Sequence, residues 1–388
     1  TRTIANPIAG VRLTGRAGEK DILATMFAVD ELPTADAEGN TEYAAVPILR
    51  YKRALNEDSY LGGIYAARQF GSHLNLATGV DGLLRTSESS TFGFHGLLSH
   101  TQQDSYTEGV GGHAIGASYT NSTRNVDYIF VAKDVSEDFE AETGFITRTG
   151  LSQFSALVRP KFYPGGTFIQ RIDAELFSAQ TRDRFYDMWE TFNHISFNHN
   201  ILNRMAFKVK YSYSNEVFLG ERFETGGFHV ALAGRVTNQV SFSALYRRVG
   251  AIYYGADPYQ GSSNRVTTSM TVQPSDKIQA EGSFIFFDFR GDDISTNDYD
   301  YPLVRGKLTY QLSRYLFFRG IVEYNEYREE LLTDFLASFT YIPGTVVHAG
   351  YGSIYDRLAW EDGAYVRSDG FLETRRGFFF KMSYLWRA

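Results

Sequence analysis

A period-two alternation of apolar and polar side chains constrains the fold of this 388-residue chain more than any other feature. In residues 205–214, for example, Met205 and Phe207 share one parity, whereas Lys208 and Lys210 have the other. Successive side chains of a β-strand point to opposite faces, so each parity forms one face of a sheet. Similar segments, of a length (roughly 9–13 residues) that suits a tilted strand crossing a bilayer, recur along the whole chain. The sequence therefore predicts an all-β fold.

The composition agrees with strands and excludes several classes of protein. Aromatic residues make up 15% of the chain, with 26 Tyr and 31 Phe, and such residues favour strands. Cysteine is absent, which excludes thiolate metal sites, cysteine nucleophiles and disulfides. A net charge of −7 argues against nucleic acid as a partner. No apolar run reaches the length of about 18 residues that a transmembrane helix needs.

The spacing of the turns distinguishes a membrane barrel from a sandwich or a propeller. Short connections are predicted near Gly18, Asn56, Ser87, Asn121, Pro164, Asn198, Thr237, Pro274, Leu312 and Pro343. Longer, mostly acidic connections are predicted between them, for example at 31–43, 102–112, 134–147, 214–226, 252–264, 290–301 and 357–373. Outer-membrane barrels have short periplasmic turns and longer extracellular loops. We therefore predict a transmembrane antiparallel up-and-down β-barrel of about 20–22 strands, in contact with outer-membrane lipids.

The last strand carries a further sign of this class. One face of the segment 378–386 is predicted to consist of Phe378, Phe380, Met382, Tyr384 and Trp386. An aromatic-ended terminal strand resembles the signal that the barrel-assembly machinery recognises, although here two residues follow the final Trp. The alternative is the ordinary last strand of a soluble sheet.

Residues 1–388 are predicted to form one barrel domain. A count of about 21 strands conflicts with the even number that single-chain bacterial barrels have. The sequence therefore predicts that the chain is the C-terminal part of a longer protein, with a full barrel near 22 strands. A miscounted strand is the competing explanation.

Four segments resemble a known family. They are Asn6-Pro-Ile-Ala-Gly-Val-Arg-Leu-Thr-Gly-Arg-Ala-Gly, Ala45-Val-Pro-Ile-Leu-Arg-Tyr-Lys-Arg, Leu61-Gly-Gly-Ile-Tyr and Phe379-Phe-Lys-Met-Ser-Tyr-Leu-Trp-Arg. They are similar to the outer-membrane β-barrel domain of unassigned function that is found C-terminal to a family 9-type carbohydrate-binding domain. The resemblance implies an outer-membrane location and a possible link to carbohydrate binding or uptake. It leaves the transported substance open and carries over no catalytic residue.

Charged residues on the polar parity are predicted to line the lumen. The main candidates are Arg171, Asp173, Glu175, Lys208, Lys210, Arg305, Lys307, Arg319 and Glu323, and Asp81, Arg85, Arg247, Glu281 and Lys381 share this parity. A Lys or Arg facing lipid at mid-bilayer would cost about 2–4 kcal/mol, so a barrel requires this segregation whatever its function. A role in selectivity is an additional hypothesis, and charge reversal of Arg305 and Lys307 is expected to change the ion selectivity.

Histidines give no predicted metal site or cofactor site. His194 and His199 flank a strand end, and His95 and His100 have opposite parities by our strand assignment, so neither pair forms a chelate by itself. No serine motif or histidine cluster indicates a hydrolase, and no catalytic residue is predicted.

Two further clusters allow a binding interpretation and a structural one. The acidic segment Asp134–Glu142 and the segment 291–300 could bind Ca²⁺, but a solvated loop is the preferred interpretation. Tyr253, Tyr254 and Tyr259 could stack on sugars, but an aromatic girdle at the membrane boundary is preferred.

The leading functional prediction is an outer-membrane passage or surface platform, with room for a plug or partner protein. The alternatives are an anchor for a carbohydrate-binding domain, an outer-membrane hydrolase and a soluble β-rich protein.

Overall fold

The structure is a computed structural model that describes the chain except for residues 1–3, 36–38, 40, 104–107, 167, 202–203, 293–297, 343, 362–363 and 386–388. The described part contains 22 β-strands. No helix in it is long and apolar enough to cross a bilayer. The chain divides into two compact units, of which the first comprises Thr1–Lys161, Glu175–His194 and Asn215–Arg222, and the second comprises the remainder.

The first unit is built on a sheet of sequential antiparallel strands. These are β1 (Pro7–Ala17), β2 (Asp21–Ala35), β3 (Thr41–Ala54), β4 (Tyr60–Phe70), β5 (His73–Ser87), β6 (Ser90–Gln102), β7 (Val110–Ser122), β8 (Val126–Val135) and β9 (Leu151–Phe162). Each pairs antiparallel with the next strand in the chain. The strands β10 (Ile169–Asp183) and β11 (Met188–Ile201) have residues in both units.

The second unit follows the same up-and-down order. The strands β12 (Met205–Phe218) and β13 (Glu221–Glu224) also have residues in both units. The strands that lie wholly in the second unit are β14 (Gly227–Arg235), β15 (Val240–Tyr253), β16 (Tyr259–Ser275), β17 (Ile278–Gly291), β18 (Tyr299–Gln311), β19 (Leu316–Asn325), β20 (Glu330–Ile342), β21 (Thr345–Glu361) and β22 (Ala364–Ser383). β12 pairs antiparallel with β14, and every strand from β14 onward pairs antiparallel with its successor.

A β-bulge explains the difference between the predicted and the observed strand count. The backbone amides of Thr225 and Gly226 both donate to the carbonyl of Ser214, at 2.9 and 3.2 Å. Two residues opposing one is the pattern of a bulge, which bends a strand without ending it. β13 and β14 are therefore one interrupted pass, and the 22 strands make 21 passes of the chain.

The two faces of each sheet differ in character, as the alternation predicts. On one face large apolar side chains stay half exposed, for example Leu98 (62%), Ile115 (50%) and Val304 (50%). We call this the apolar face. The opposite face, here called the polar face, carries Asp81 and His95 in the first unit and, for example, Lys208, Arg247 and Lys307 in the second. Rows of exposed apolar side chains are rare on a water-soluble protein and indicate contact with lipid or a partner.

Some of the predicted long loops are mostly strand, whereas 134–147 lies largely between β8 and β9. The segment 252–264 is irregular only at 254–258, and 357–373 lies largely within β21 and β22. Their polar residues indicate contact with water, but a hairpin keeps its hydrogen bonds in water as well as in lipid. A polar segment therefore indicates where a strand leaves the bilayer, but it does not show where the strand itself ends.

Candidate functional site

A long connection of the first unit folds back onto the polar face. It joins β8 to β9 and consists of residues 136–150, here called the docked loop. The Oδ1 of Asn75 on β5 accepts from the backbone amide of Glu142 at 2.9 Å, and its Nδ2 donates to the carbonyl of Glu140 at 3.2 Å. The amide of Glu140 donates to Ser99 Oγ on β6 at 3.1 Å. The loop therefore covers β5 and β6, which are distant from it in sequence, and satisfies polar groups there that water would otherwise hydrate. Phe139 within the loop is only 3% exposed.

Ion pairs fasten the same loop at two points. The Glu142 carboxylate lies 3.0 Å from Arg68 Nη1 and 2.7 Å from His73 Nε2. Arg148 lies 2.5 Å from Asp183 and 2.8 Å from Glu190. Burial disfavours the charge of Arg148, but its hydrogen bonds with Glu190 and Asp183 outweigh this, so the pKa of its guanidinium is raised. The predicted solvated acidic loop is thus an ordered, ion-paired element.

Gly112 on β7 allows the close approach of the docked loop. A Cβ atom at this position would lie 2.4 Å from the backbone N and Cα of Phe139, closer than real atoms approach. Gly112 pairs with Ser99, which itself hydrogen-bonds the loop. Since glycine alone leaves this space open, the contact depends on it.

A nearly buried ionic network lies on β8 to β11. Glu175 is 7% exposed and accepts hydrogen bonds from Arg159 Nε at 2.9 Å. Its other oxygen lies 2.7 Å from His194 Nε2, and the His194 ring stacks on Phe177 with centroids 5.1 Å apart. Lys161 Nζ lies 2.5 Å from Asp127 beside this network. Glu175, which the sequence predicts as a lumen charge, is thus a structural residue of the polar face.

Glu175→Gln is expected to lower the free energy of unfolding by about 2 kcal/mol, because Arg159 and His194 would lose their charged acceptor in a poorly hydrated site. Urea unfolding in lipid vesicles would measure it. Asp187→Asn is the matched control, since Asp187 pairs with Arg182 at the surface with its side chain 78% exposed. Exposed pairs contribute about 0–1 kcal/mol, so equal losses in both variants would contradict the assignment.

The other predicted lumen charges are paired in most cases. The pairs are Arg171–Asp173 at 2.6 Å, Arg305–Glu323 at 3.5 Å, Lys307–Glu281 at 2.5 Å and Arg319–Asp334 at 3.0 Å. In the first unit, Asp81 pairs with Arg50 at 2.5 Å. Opposite charges on neighbouring strands largely cancel at a distance, so these residues give the polar face little net potential.

One group of basic residues departs from this pattern. Register places Lys210 opposite His229, His229 opposite Arg247 and Arg247 opposite Arg265, on the adjacent strands β12, β14, β15 and β16. We call these four residues the basic row. Within the described part of the chain, His229, Arg247 and Arg265 form no ion pair with an acidic side chain. Lys208 lies two residues from Lys210 on the same face.

An aromatic cluster occupies the polar face beyond the basic row. Its members are Tyr253, Tyr259, Phe287, Phe289, Tyr299, Tyr301 and Tyr327. Tyr253 stacks on Tyr259, and Phe287 on Tyr301, each with ring centroids 4.7 Å apart. Tyr253 and Tyr259 thus lie on the polar face, whereas a girdle would require the apolar one. Tyr254 has the opposite parity and is 60% exposed.

A Ser/His/Asp group at the end of β7 to β9 does not form a catalytic triad. Asp134 accepts from Ser152 Oγ at 2.6 Å and lies 2.9 Å from His113 Nε2. The serine hydroxyl therefore donates to the carboxylate, whereas an activated serine donates to the histidine. No group of three or more His, Asp or Glu residues in the described ranges is arranged to hold a metal ion.

The remaining predicted residues are placed as follows. His194 lies on the polar face, and His199, of opposite parity, lies near Phe207 with ring centroids 6.3 Å apart, so the two histidines do not converge. Phe378, Phe380 and Met382 are 72, 64 and 61% exposed on the apolar face of β22, and Tyr384 follows it. Trp386 and residues 293–297 of the acidic segment 291–300 lie outside the described residues. The assembly signal stays a prediction.

His229 and Arg265 are the functional candidates that the sequence argument missed. Both have the polar parity of their strands, so the alternation of apolar and polar residues could have identified them. The stretch from Met205 to Ser275 also has acidic residues only at Glu216, Glu221, Glu224 and Asp257, a bias that points to the same surface.

Comparisons with known proteins find similar structures but no similar sequence. No family model and no curated protein sequence matches this chain. Among solved structures it is similar to the copper transporter OprC, with 9% identity and a TM-score of 0.58 over 97% of this chain and 79% of that one. The FrpB iron transporter from Neisseria meningitidis gives 7% identity and a TM-score of 0.54 over 88% and 74%. A mutant of the ferric enterobactin receptor from Pseudomonas aeruginosa gives 10% and 0.52 over 94% and 72%.

At these identities the likeness shows the fold. The chain has the fold of a transmembrane antiparallel up-and-down β-barrel of the bacterial outer membrane, as the alternation and the turn rhythm predict.

Proposed function

We propose that the protein is an outer-membrane passage for polar solutes and that the polar face lines the path. The observation that carries this proposal is the segregation of charges to one face, opposite a face of half-exposed apolar residues such as Leu98 and Val304. In a barrel of this fold, the polar face surrounds an aqueous interior. The similar structures are named as a copper transporter, an iron transporter and a ferric enterobactin receptor. Their names support the proposed role as a passage, and we infer no transported substance from them.

The docked loop is proposed to narrow this passage. It lies on the polar face of β4 to β7, held through Asn75, Ser99 and Glu142. A connection that is fixed by hydrogen bonds and ion pairs reduces the open cross-section permanently. A mobile loop would reduce it only on average.

The purified protein is expected to form anion-preferring pores in planar bilayers, because Arg247 and Arg265 of the basic row add positive charge that no ion pair cancels within the described part of the chain. The double variant Arg247→Gln/Arg265→Gln should lower the anion-to-cation permeability ratio about fivefold, since the two charges together are expected to contribute on the order of 1 kcal/mol to the difference between a passing anion and a passing cation. Reversal potentials under a salt gradient measure the ratio.

The matched control exchanges a charge pair on the same face. Lys307→Glu with Glu281→Lys keeps the net charge and should leave the ratio nearly unchanged. A barrel that never conducts would overturn the passage. A ratio that does not change in the arginine double variant would overturn the role of the basic row in selectivity.

The link to an upstream carbohydrate-binding domain rests on the sequence resemblance alone and stays a prediction, as does a plug or partner protein inside the barrel.

A further inference from the structure

The basic row continues into the aromatic cluster at a single level of the sheet. Arg265 on β16 pairs with Phe287 on β17, and Phe287 pairs with Tyr301 on β18. Counting from Lys210, six adjacent strands thus present four basic side chains followed by two stacked rings on one face. Neighbouring strands lie about 4.8 Å apart, so the whole row spans roughly 24 Å.

Like charges directly opposite each other destabilise a sheet. Arg247 and Arg265 are cross-strand partners and both are exposed on the polar face. Elsewhere on this face, arginines such as Arg305 and Arg319 lie beside an acid. From Met205 to Ser275 acidic residues occur only toward the ends of the strands opposite the short turns, away from the row. The sheet therefore keeps a repulsive arrangement that a bound anion would relieve.

The arginine side chains define the charge and shape of that anion. A guanidinium presents several donors in a planar fork and matches phosphate and carboxylate oxygens in a bidentate manner. Two forks on adjacent strands can converge on one tetrahedral or planar anionic group. On the other side of Arg247, His229 adds a polar ring and Lys210 extends the positive surface.

The aromatic side chains define the other end of the ligand. The Phe287 and Tyr301 rings stack with their planes only 21° apart, next to Arg265 in the register. Asn325 Nδ2 donates to the hydroxyl of Tyr301 at 2.6 Å, which fixes that ring. A rigid aromatic surface beside a cationic one favours a ligand that carries a flat ring close to its charge.

We infer that the basic row and the Phe287–Tyr301 pair form one binding site for ring-bearing anions, namely aryl phosphates and aryl carboxylates. This inference rests on the proposed passage, for which it names the class of solute. The anionic group lies between Arg247 and Arg265, and the ring lies against Phe287.

The test is calorimetric titration of the full chain, folded in detergent, with phenyl phosphate and with inorganic phosphate as probes. Phenyl phosphate is expected to bind roughly tenfold more tightly, since contact between aromatic rings contributes about 0.5–1.5 kcal/mol beyond burial. Arg265→Gln should weaken both probes roughly tenfold, because each loses a charged hydrogen bond. Phe287→Leu should weaken phenyl phosphate alone.

Arg319→Gln is the matched control, since Arg319 lies on the polar face, pairs with Asp334 and lies outside the row. It should leave both affinities unchanged. Tyr301→Leu serves as a second ring variant if Phe287→Leu does not fold. The site is overturned if neither probe binds at millimolar concentration, if the ring variants weaken both probes equally, or if Arg319→Gln acts like Arg265→Gln.

The two proposals fail separately. A barrel that conducts anions but binds neither probe would overturn this site and leave the passage standing. A barrel that binds phenyl phosphate as described but never conducts would overturn the passage and leave the site as a surface receptor.

Discussion

Gly112→Val is expected to release the docked loop. The added Cβ would lie 2.4 Å from the backbone of Phe139, so the loop or β7 has to move. Overpacking of this kind costs about 1–3 kcal/mol, which corresponds to a shift of roughly 5- to 150-fold in the docking equilibrium. Arg148, now held by Asp183 and Glu190, would become accessible. The rate of tryptic cleavage after Arg148 should rise by the same factor, and the pore conductance should rise with it.

Gly111→Val provides the control, because Gly111 lies on the opposite face of the same strand. A Cβ there would lie 3.7 Å from the nearest atom, the carbonyl of Ser99, which is an ordinary contact. Cleavage after Arg148 should therefore stay slow. Rapid cleavage in the unmodified protein, or the same acceleration in both variants, would show that the loop is not held on the polar face. Faster cleavage without higher conductance would show that it is held but does not narrow the path.

The sequence predicts the faces of the sheet well because alternation is a local signal. The parities of Lys208 and Lys210 follow from one strand alone, and the register with β14 leaves both on the polar face. The turn rhythm was also readable, since glycine, proline and asparagine mark most of the short connections. Side chains that face lipid have to be apolar, so the sequence shows at each position which face the residue occupies.

The alternation does not predict that the docked loop packs on the polar face. Asp134–Glu142 is polar, and polarity alone indicates water. Whether Glu142 is solvated or pairs with Arg68 and His73 depends on strands about 70 residues away. Contacts of that separation leave no periodic trace in one sequence, so the sequence alone favours a solvated loop.

The level of a residue along its strand was likewise not predictable. Parity places Arg247 and Arg265 on the polar face, but their direct opposition depends on the length of each turn. The bulge at Thr225 and Gly226 shifts every residue after it by one position relative to β12. The register between the strands therefore brings the residues of the basic row side by side. The sequence shows the residues but not their alignment. The same reason explains why paired and unpaired arginines look alike in the sequence.

The orientation of the two faces is the physical basis of all these proposals, and a pair of adjacent residues on β16 tests it. Met270 lies on the apolar face and is 53% exposed, whereas Ser269 lies on the polar face, where its hydroxyl hydrogen-bonds Ser243 at 2.7 Å. Met270→Arg should lower the free energy of unfolding from lipid vesicles by about 2–4 kcal/mol, because it places a cation against acyl chains.

Ser269→Arg should lower it by about 1 kcal/mol at most, the contribution of one neutral hydrogen bond, since the new side chain can reach water on the polar face. Both variants add the same charge at the same depth, so the difference between their unfolding free energies isolates what each face contacts. Equal losses, or a larger loss for Ser269→Arg, would mean that the apolar rows do not face lipid. The basic row would then face away from an aqueous interior, and a bound anion could not reach it by the path proposed here.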